Sequence, residues 1–306
     1  MNILIAGGTG LIGTELVNSL LPTHEITVLT RQKNHVTQTF GDRVTPCTWD
    51  ELATLDALSF DAVINLAGHN IADSRWTENT KQLIIDSRVN TNALLINWLI
   101  ESQAKPHFYS ANAVGIYGAQ EGDDLKTFDE ETPIPFDKPI DFLSEVGILW
   151  QQSLEPAIQY GMPVTITRFG VVLKQGNGML GKLAPTFKLG LGSIISDGKQ
   201  VISWVHIDDV VRGYHFLLNN PNLVGPFNLT SPNPVSQREF AKTFAHVLHR
   251  PLFLKTPAFV IRTLFGEMGE YLINRGQRVV PKRLLEAGFE FKYPTIQQAL
   301  EEEYPH

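Results

Sequence analysis

Asn2-Ile3-Leu4-Ile5-Ala6-Gly7-Gly8-Thr9-Gly10-Leu11-Ile12-Gly13 decides the fold. Four apolar residues run without interruption into Gly7, as a strand buried on both faces of a parallel sheet requires. An amphipathic helix pattern starts at Leu11. Between them the glycines recur at the spacing of a dinucleotide-binding turn, in the strand-before, helix-after context that gives this motif its meaning. Gly7 permits the tight turn, Gly10 lets backbone N–H groups approach a pyrophosphate, and Gly13 lets the helix pack close to the strand. The helix dipole adds a favourable field for the phosphates.

Working outward, the same texture repeats. Short apolar runs at residues 26–30, 62–67, 107–110 and 164–168 alternate with helical patterns at 11–21, 77–101 and 141–160. This rhythm predicts an α/β, Rossmann-like doubly wound parallel sheet with helices on both faces. The expected dinucleotide-binding domain is 1–170, with a later strand and helix in 203–230 returning to it. A smaller α/β substrate-binding and C-terminal region is expected over 171–306. It opens with a Gly-rich loop at 174–200, broken by one short helix at 182–189. Loops of that length in compact domains are usually functional.

Composition narrows the setting. The 306 residues carry a net charge of −7, which disfavours nucleic acid and anionic membranes as principal partners. Cys47 is the only cysteine, so no internal disulfide forms, and a reducing compartment is expected. No apolar run approaches the roughly 18 residues that span a bilayer. No leader pattern precedes the first strand. A cytoplasmic protein with a small-molecule substrate, and a homodimer as one option, is the expectation. No cluster of His, Cys and Asp has metal-ligand spacing, so no metal is expected.

The end of the second strand bears on the nucleotide. An NAD-preferring site usually places an acid there for the ribose 2′-hydroxyl. This chain has Thr30-Arg31 with Lys33 close behind. Arg31 can pair with a 2′-phosphate by charge and planar geometry, which favours NADP(H) over NAD(H).

Further segments carry a resemblance. Asn65-Leu66-Ala67-Gly68 with Arg75-Trp76, Ser110-Ala111-Asn112-Ala113-Val114-Gly115-Ile116-Tyr117-Gly118, Ser203-Trp204-Val205-His206-Ile207-Asp208-Asp209 and the tail Gly276-Gln277-Arg278-Val279 stand beside the glycine turn. Together they resemble atypical extended short-chain dehydrogenases/reductases of the epimerase family (nucleoside-diphosphate-sugar epimerase-like proteins) with a C-terminal domain of unknown function. The resemblance implies that Gly7, Thr9, Gly10, Leu11, Ile12 and Gly13 hold the pyrophosphate. It implies that Leu66, Ala67 and Gly68 line the adenosine and its ribose, that Asn90 supports the active-site helix, and that Ser110 lies beside the nicotinamide.

Superfamily enzymes use Tyr-x-x-x-Lys on the helix after the fifth strand. The lysine, one turn from the phenol, lowers its pKa and holds the nicotinamide ribose. Here the matching positions are Leu143 and Gly147, and neither titrates. The residue that would polarise a substrate carbonyl is Asn112, or Ser110 if the segment slips by one. Tyr117 and Glu145 are the remaining candidates for proton transfer, with a pocket-lining tyrosine and a solvated helix carboxylate as alternatives. His206 could titrate near neutral pH or serve a structural hydrogen bond. Arg75, Arg88, Arg168 and Arg278 are candidate anion binders, Arg75 and Arg278 foremost. Arg75, Trp76, Trp204, His206 and Arg278 are assigned to a substrate.

Two functions follow. One is an NADP(H)-dependent oxidoreductase or epimerase, acting on a small or nucleotide-linked substrate with a replaced proton-transfer group. The other is a non-catalytic NADP(H)-binding regulatory protein. Similar proteins are sometimes labelled cell-division inhibitors, which would make a third.

Overall fold

The computed structural model describes residues 1–305. Strand β1 (Asn2–Ala6) alternates its side chains between two cores, which is why the run is apolar throughout. Ile3 and Ile5 enter one core with Leu16, Val17 and Tyr214, while Leu4 and Ala6 enter the other with Leu95, Leu99 and Phe108.

β1 lies inside a seven-stranded sheet with β2 (Glu25–Thr30), β3 (Thr45–Thr48), β4 (Ala62–Asn65), β5 (His107–Ala113), β6 (Val164–Phe169) and a late strand, Gly225–Leu229. The remaining strands are the short β7 (Val171–Leu173), β8 (Ser193–Ile195), β9 (Val201–Ile202), β10 (Trp204–His206), β12 (Val235–Ser236) and β13 (Leu254–Thr256), so the late strand is β11. The sheet order is β11-β6-β5-β4-β1-β2-β3, and every pairing is parallel. Chain order reverses between β1 and β4. Ligands of doubly wound sheets sit in the crevice outside the strands' carboxyl ends at such a point.

Helix α1 (Leu11–Leu20) covers one face of the sheet, and α7 (Ile207–Asn219) packs beside it. Between them along the chain come α2 (Lys33–Phe40), α3 (Glu78–Glu101), α4 (Phe142–Gln152), α5 (Glu155–Tyr160) and α6 (Gly178–Lys188). The helix expected over 141–160 is two helices: Pro156 sits in the first turn of the second and cannot continue the first. The Gly-rich loop also holds a longer helix than expected. α6 begins at Gly178, where Gly181 packs so closely that a Cβ would lie 2.6 Å from the Gly176 oxygen.

The C-terminal part contains α8 (Gln237–Val247), α9 (Ala258–Gly269), α10 (Lys282–Glu286) and α11 (Ile296–Glu303). Trp204, Phe240, Phe244, Ile296 and Leu300 form its core with α6. α9 is broken at Gly266, whose φ of +64° and ψ of −142° are not helical, and it runs into a π turn at Glu270–Asn274. No helix among the described residues is long and apolar enough to cross a membrane.

Candidate functional site

The glycine turn is shaped for a ligand's approach. Gly7 has φ +78°, and a Cβ there would fall 2.7 Å from the Leu66 carbonyl carbon. A Cβ on Gly13 would lie 2.2 Å from the Gly7 oxygen, so the close packing of α1 on β1 demands glycine. At Gly10 the same test meets only the Gly7 oxygen, at 3.4 Å, so the outer side of the turn is open. Gly10 caps α1 without a side chain, and the first turn holds no acid. The helix's first N–H groups therefore face outward with nothing in the helix to accept them. Thr9, Leu11 and Ile12 are half-buried around that opening. The donor set suits a pyrophosphate.

Leu66–Gly68 forms the opposite lip. The Leu66 N–H donates to the Ala6 oxygen at 2.9 Å, and the Ala67 N–H donates to Asn65 Oδ1 at 3.0 Å. Asn65 is held in turn by its amide donating to Asn92 Oδ1 at 2.7 Å. At the other end of the crevice Arg31 is exposed and has no side-chain partner among the described residues. Lys33 is spent on Glu51 at 2.5 Å, an ion pair that holds the Glu51 carboxyl down at about 2.

The proton-transfer candidates come out differently. Ser110 is fully buried and faces Asn92, whose amide donates to Ser110 Oγ at 3.4 Å, while the Ser110 hydroxyl donates to the Ala111 oxygen at 3.1 Å. Asn112 is buried with both ends of its amide engaged: Nδ2 donates to the Gly147 oxygen at 3.0 Å, and Oδ1 accepts the Ala113 N–H at 2.7 Å. Tyr117 is sealed against Phe128; its hydroxyl donates to Asn228 Oδ1 at 2.9 Å and accepts from Arg168 Nη1 at 2.8 Å. Burial pushes the Tyr117 phenol up, away from neutrality. Glu145 is exposed on α4. In this structure Ser110, Asn112 and Tyr117 are hydrogen-bonded within the protein, and Glu145 is exposed.

Leu143 and Gly147 are equally closed to proton transfer. Leu143 lies in an apolar cluster with Trp76, Ile84, Phe142, Val146 and Met268. A Cβ on Gly147 would lie 2.7 Å from Ile116 Cβ and 2.8 Å from its Cα, so α4 packs where a lysine would have to emerge.

The residues assigned to a substrate are also redistributed. Arg75 caps the broken helix α9: Nε donates to the Leu264 oxygen at 3.0 Å and Nη2 to the Thr263 oxygen at 2.9 Å. Trp76 is buried edge-on to Phe142, its indole N–H donating to the Ile71 oxygen at 2.9 Å. Trp204 is wholly buried, bonded to the Asn233 oxygen. His206 caps α7 through Nδ1, which accepts the Asp208 N–H at 3.1 Å, leaving the ring proton on Nε2, 2.9 Å from Glu303 Oε1. Burial raises the Glu303 carboxyl, yet the His206 and Gln175 hydrogen bonds outweigh it and hold the group low. Arg278 meets Gln120 and Phe128 through its backbone, and its side chain has no partner among the described residues.

Asn90 is exposed on α3. Ser87 and Arg88, the latter named only as a general anion binder, reach the residue after the lip: Ser87 Oγ accepts the His69 N–H at 2.9 Å, and Arg88 Nη1 donates to the His69 oxygen at 3.0 Å.

This arrangement of crevice, cradle and sheet order has close counterparts. Residues 3–230 match the NAD dependent epimerase/dehydratase family, and 256–303 match a domain of unknown function (DUF1731). The chain belongs to the NAD dependent epimerase/dehydratase family. Epimerase family proteins of Staphylococcus epidermidis and Bacillus subtilis are each 35% identical, with 98% of this chain and 97% of theirs covered. A human epimerase family protein, determined with NADPH, superposes with a TM-score of 0.86 at 31% identity over 99% of both chains. A nucleoside-diphosphate sugar epimerase of Corynebacterium glutamicum gives 0.76 at 28% identity, covering 99% of this chain and 58% of that one. The family's fold and its nicotinamide-dinucleotide cradle are both present in this chain.

Proposed function

We propose that this chain is an NADP(H)-binding member of the epimerase family that does not epimerise nucleotide sugars through the Tyr-Lys route. The observation that carries the reading is a contrast within one crevice. The cradle at Gly7–Gly13 is intact and open, while Gly147 is packed against Ile116 and Leu143 is walled in by Trp76 and Met268.

A bound nicotinamide supplies hydride chemistry, and the protein's part would be positioning plus one acid or base. Gly10 through Gly13 would hold the pyrophosphate, and Leu66–Gly68 would form the facing wall. Arg31 would meet a 2′-phosphate, which favours NADP(H); the human relative determined with NADPH supports the same preference. Asn112 supplies no proton in this reading, because its amide fixes α4 to β5. The protein acts as a holder of NADP(H) in this reading.

A second reading, an oxidoreductase or epimerase on a small nucleotide-linked substrate, draws on the Corynebacterium relative's description as a nucleoside-diphosphate sugar epimerase. Nicotinamide fluorescence followed by absorbance across carbonyl compounds and sugar nucleotides separates the two. Saturable NADPH binding without turnover is expected. Turnover of a sugar nucleotide would establish the second reading, and failure to bind NADPH or NADH would remove both.

A further inference from the structure

Charge is unevenly placed on this chain. The net charge is −7, yet neither 156–196 nor 240–266 contains an aspartate or glutamate. The fold brings parts of these two acid-free segments together. β8 pairs in parallel with β13, Leu254 opposite Ser193 and Lys255 opposite Ile194, and Arg250 Nε donates to the Lys188 oxygen at 2.6 Å. The turn at Gly190 lies against Pro251, whose Cγ a Cβ on the glycine would meet at 3.6 Å. Leu252 packs on the core of Phe240 and Phe244, and its neighbour Phe253 stands outward. Phe253 is 84% exposed and Leu189 74%, with Leu191 and Leu254 also in solvent. Phe259, in the first turn of α9, adds a further exposed ring. Large apolar side chains gathered in solvent mark an interaction surface.

The cations among these tips have no counter-charge. Lys188 stands over the Tyr304 ring at 5.6 Å, Arg250 donates to the Lys188 and His249 oxygens, and Lys255 is exposed. Among the described residues none of the three lies within ion-pair distance of a carboxylate, whereas Lys33, Lys81, Lys199, Lys282 and Lys292 each hold one. Lys255 follows two positions after Phe253, the spacing of one strand face. The occupant must therefore be anionic and must accept apolar tips. A second copy of this chain fits badly, because a twofold contact would set these cations against their own equivalents. A folded acidic partner would need about 800 Å² of matched surface on each side, whereas these tips rise from a turn, a loop and a helix start. A lipid boundary has no fixed shape to match: it takes in apolar side chains at headgroup depth and attracts nearby Lys and Arg. The chain's negative total does not oppose this, since exposed charges beyond a Debye length of about 8 Å are largely screened.

We propose that this corner of the C-terminal part docks on an anionic bilayer surface, with Leu189, Leu191 and Phe253 entering the headgroup boundary and Lys188, Arg250 and Lys255 meeting its charge. The full chain is sedimented with vesicles of phosphatidylcholine alone and with vesicles holding about 30% phosphatidylserine. Binding to the second and not the first is expected, and it should weaken as salt rises. Lys255→Gln should weaken it about fivefold, the share of one cation near such a surface. Phe253→Ser should weaken it at least about tenfold, through the lost apolar ring. Both positions are exposed, so the melting temperature should not move. Leu125→Ser removes a similarly exposed side chain from a stretch carrying Glu121, Asp123 and Asp124, and it should leave vesicle binding unchanged. No binding to the phosphatidylserine vesicles, binding that survives Phe253→Ser, or an equal loss in Leu125→Ser overturns the proposal. A lipid-free dimer abolished by Phe253→Ser overturns it in favour of a second copy. Binding to soluble polyglutamate as tight as to the vesicles, and sensitive to the same two changes, overturns it in favour of an acidic protein.

Discussion

Asn112 donates its side-chain amide to the backbone oxygen of Gly147 across 3.0 Å, joining the end of β5 to the middle of α4. In a helix the carbonyl of Gly147 already serves the residue four positions on, so this second bond is a tether added from the sheet. It turns the place where a carbonyl-polarising group was expected into a structural joint. Asn112→Asp removes the donor and places a carboxylate against a buried carbonyl. A loss of about 2–3 kcal/mol in urea unfolding is expected. A variant as stable as the parent would show the tether to be idle.

Gly147 is a packing residue. Gly147→Ala gains about 1 kcal/mol of helix propensity but forces a methyl to within 2.7 Å of Ile116. Overpacking of that kind costs about 1–3 kcal/mol, so a net decrease in melting temperature is expected. Gly147→Lys should be worse still and should not create turnover. A stabilised Ala variant would contradict the packing argument.

Among the described residues Arg31 is exposed and has no side-chain partner to lose. Arg31→Ala should leave the melting temperature unchanged and weaken NADPH by about tenfold, consistent with loss of a charge-assisted bond to phosphate. NADH affinity should move little. Equal effects on the two nucleotides would count against a 2′-phosphate contact.

His107 makes the fold sensitive to acid. It is buried, bonded to Thr165 at 2.8 Å and stacked on Tyr109, and burial drops its pKa from 6.5 to about 4. The unfolded chain therefore binds a proton between those values that the folded chain refuses, so stability rises with pH across this window and is lost on acidification. The loss below pH 4 is about 3 kcal/mol. His24 and His215, also lowered chiefly by burial, add in the same direction. Chemical unfolding at several pH values should show the slope, and His107→Phe should flatten a large part of it.

Arg75 should matter locally. Arg75→Ala frees the Thr263 and Leu264 carbonyls, and amide hydrogen exchange over 258–274 should accelerate while the sheet stays protected. Uniform exchange across the chain would contradict the capping role.

The turn at Gly7–Gly13 was legible because nearly everything it needs is local: strand, turn and helix are consecutive, and Gly7, Gly10 and Gly13 answer contacts within that stretch or with the adjoining lip. β3 was not, because it is an edge strand containing Pro46, with one strand neighbour and no apolar run to announce it. The partners of the site residues were not legible for another reason. Ser110, His206 and Arg75 meet partners 18, 97 and 189 positions away, which no local spacing encodes. Asn90 and Arg88 show how a helix separates neighbours in sequence. Two residues turn about 200° around the axis, so Asn90 is exposed while Arg88 reaches the His69 carbonyl.

The tie between Arg75 and α9 gives the C-terminal part a thermodynamic voice in the crevice. Arg75 belongs to the loop that leaves the Leu66–Gly68 lip, and the carbonyls it holds are those exposed by the break at Gly266. Whatever settles that loop from the crevice side lowers the free energy of the ordered tail. By reciprocity, whatever orders the tail tightens the crevice for its ligand by the same factor. A ligand that ordered the Arg75 loop would therefore bind more tightly to a chain whose α9 is already ordered, and by the same factor.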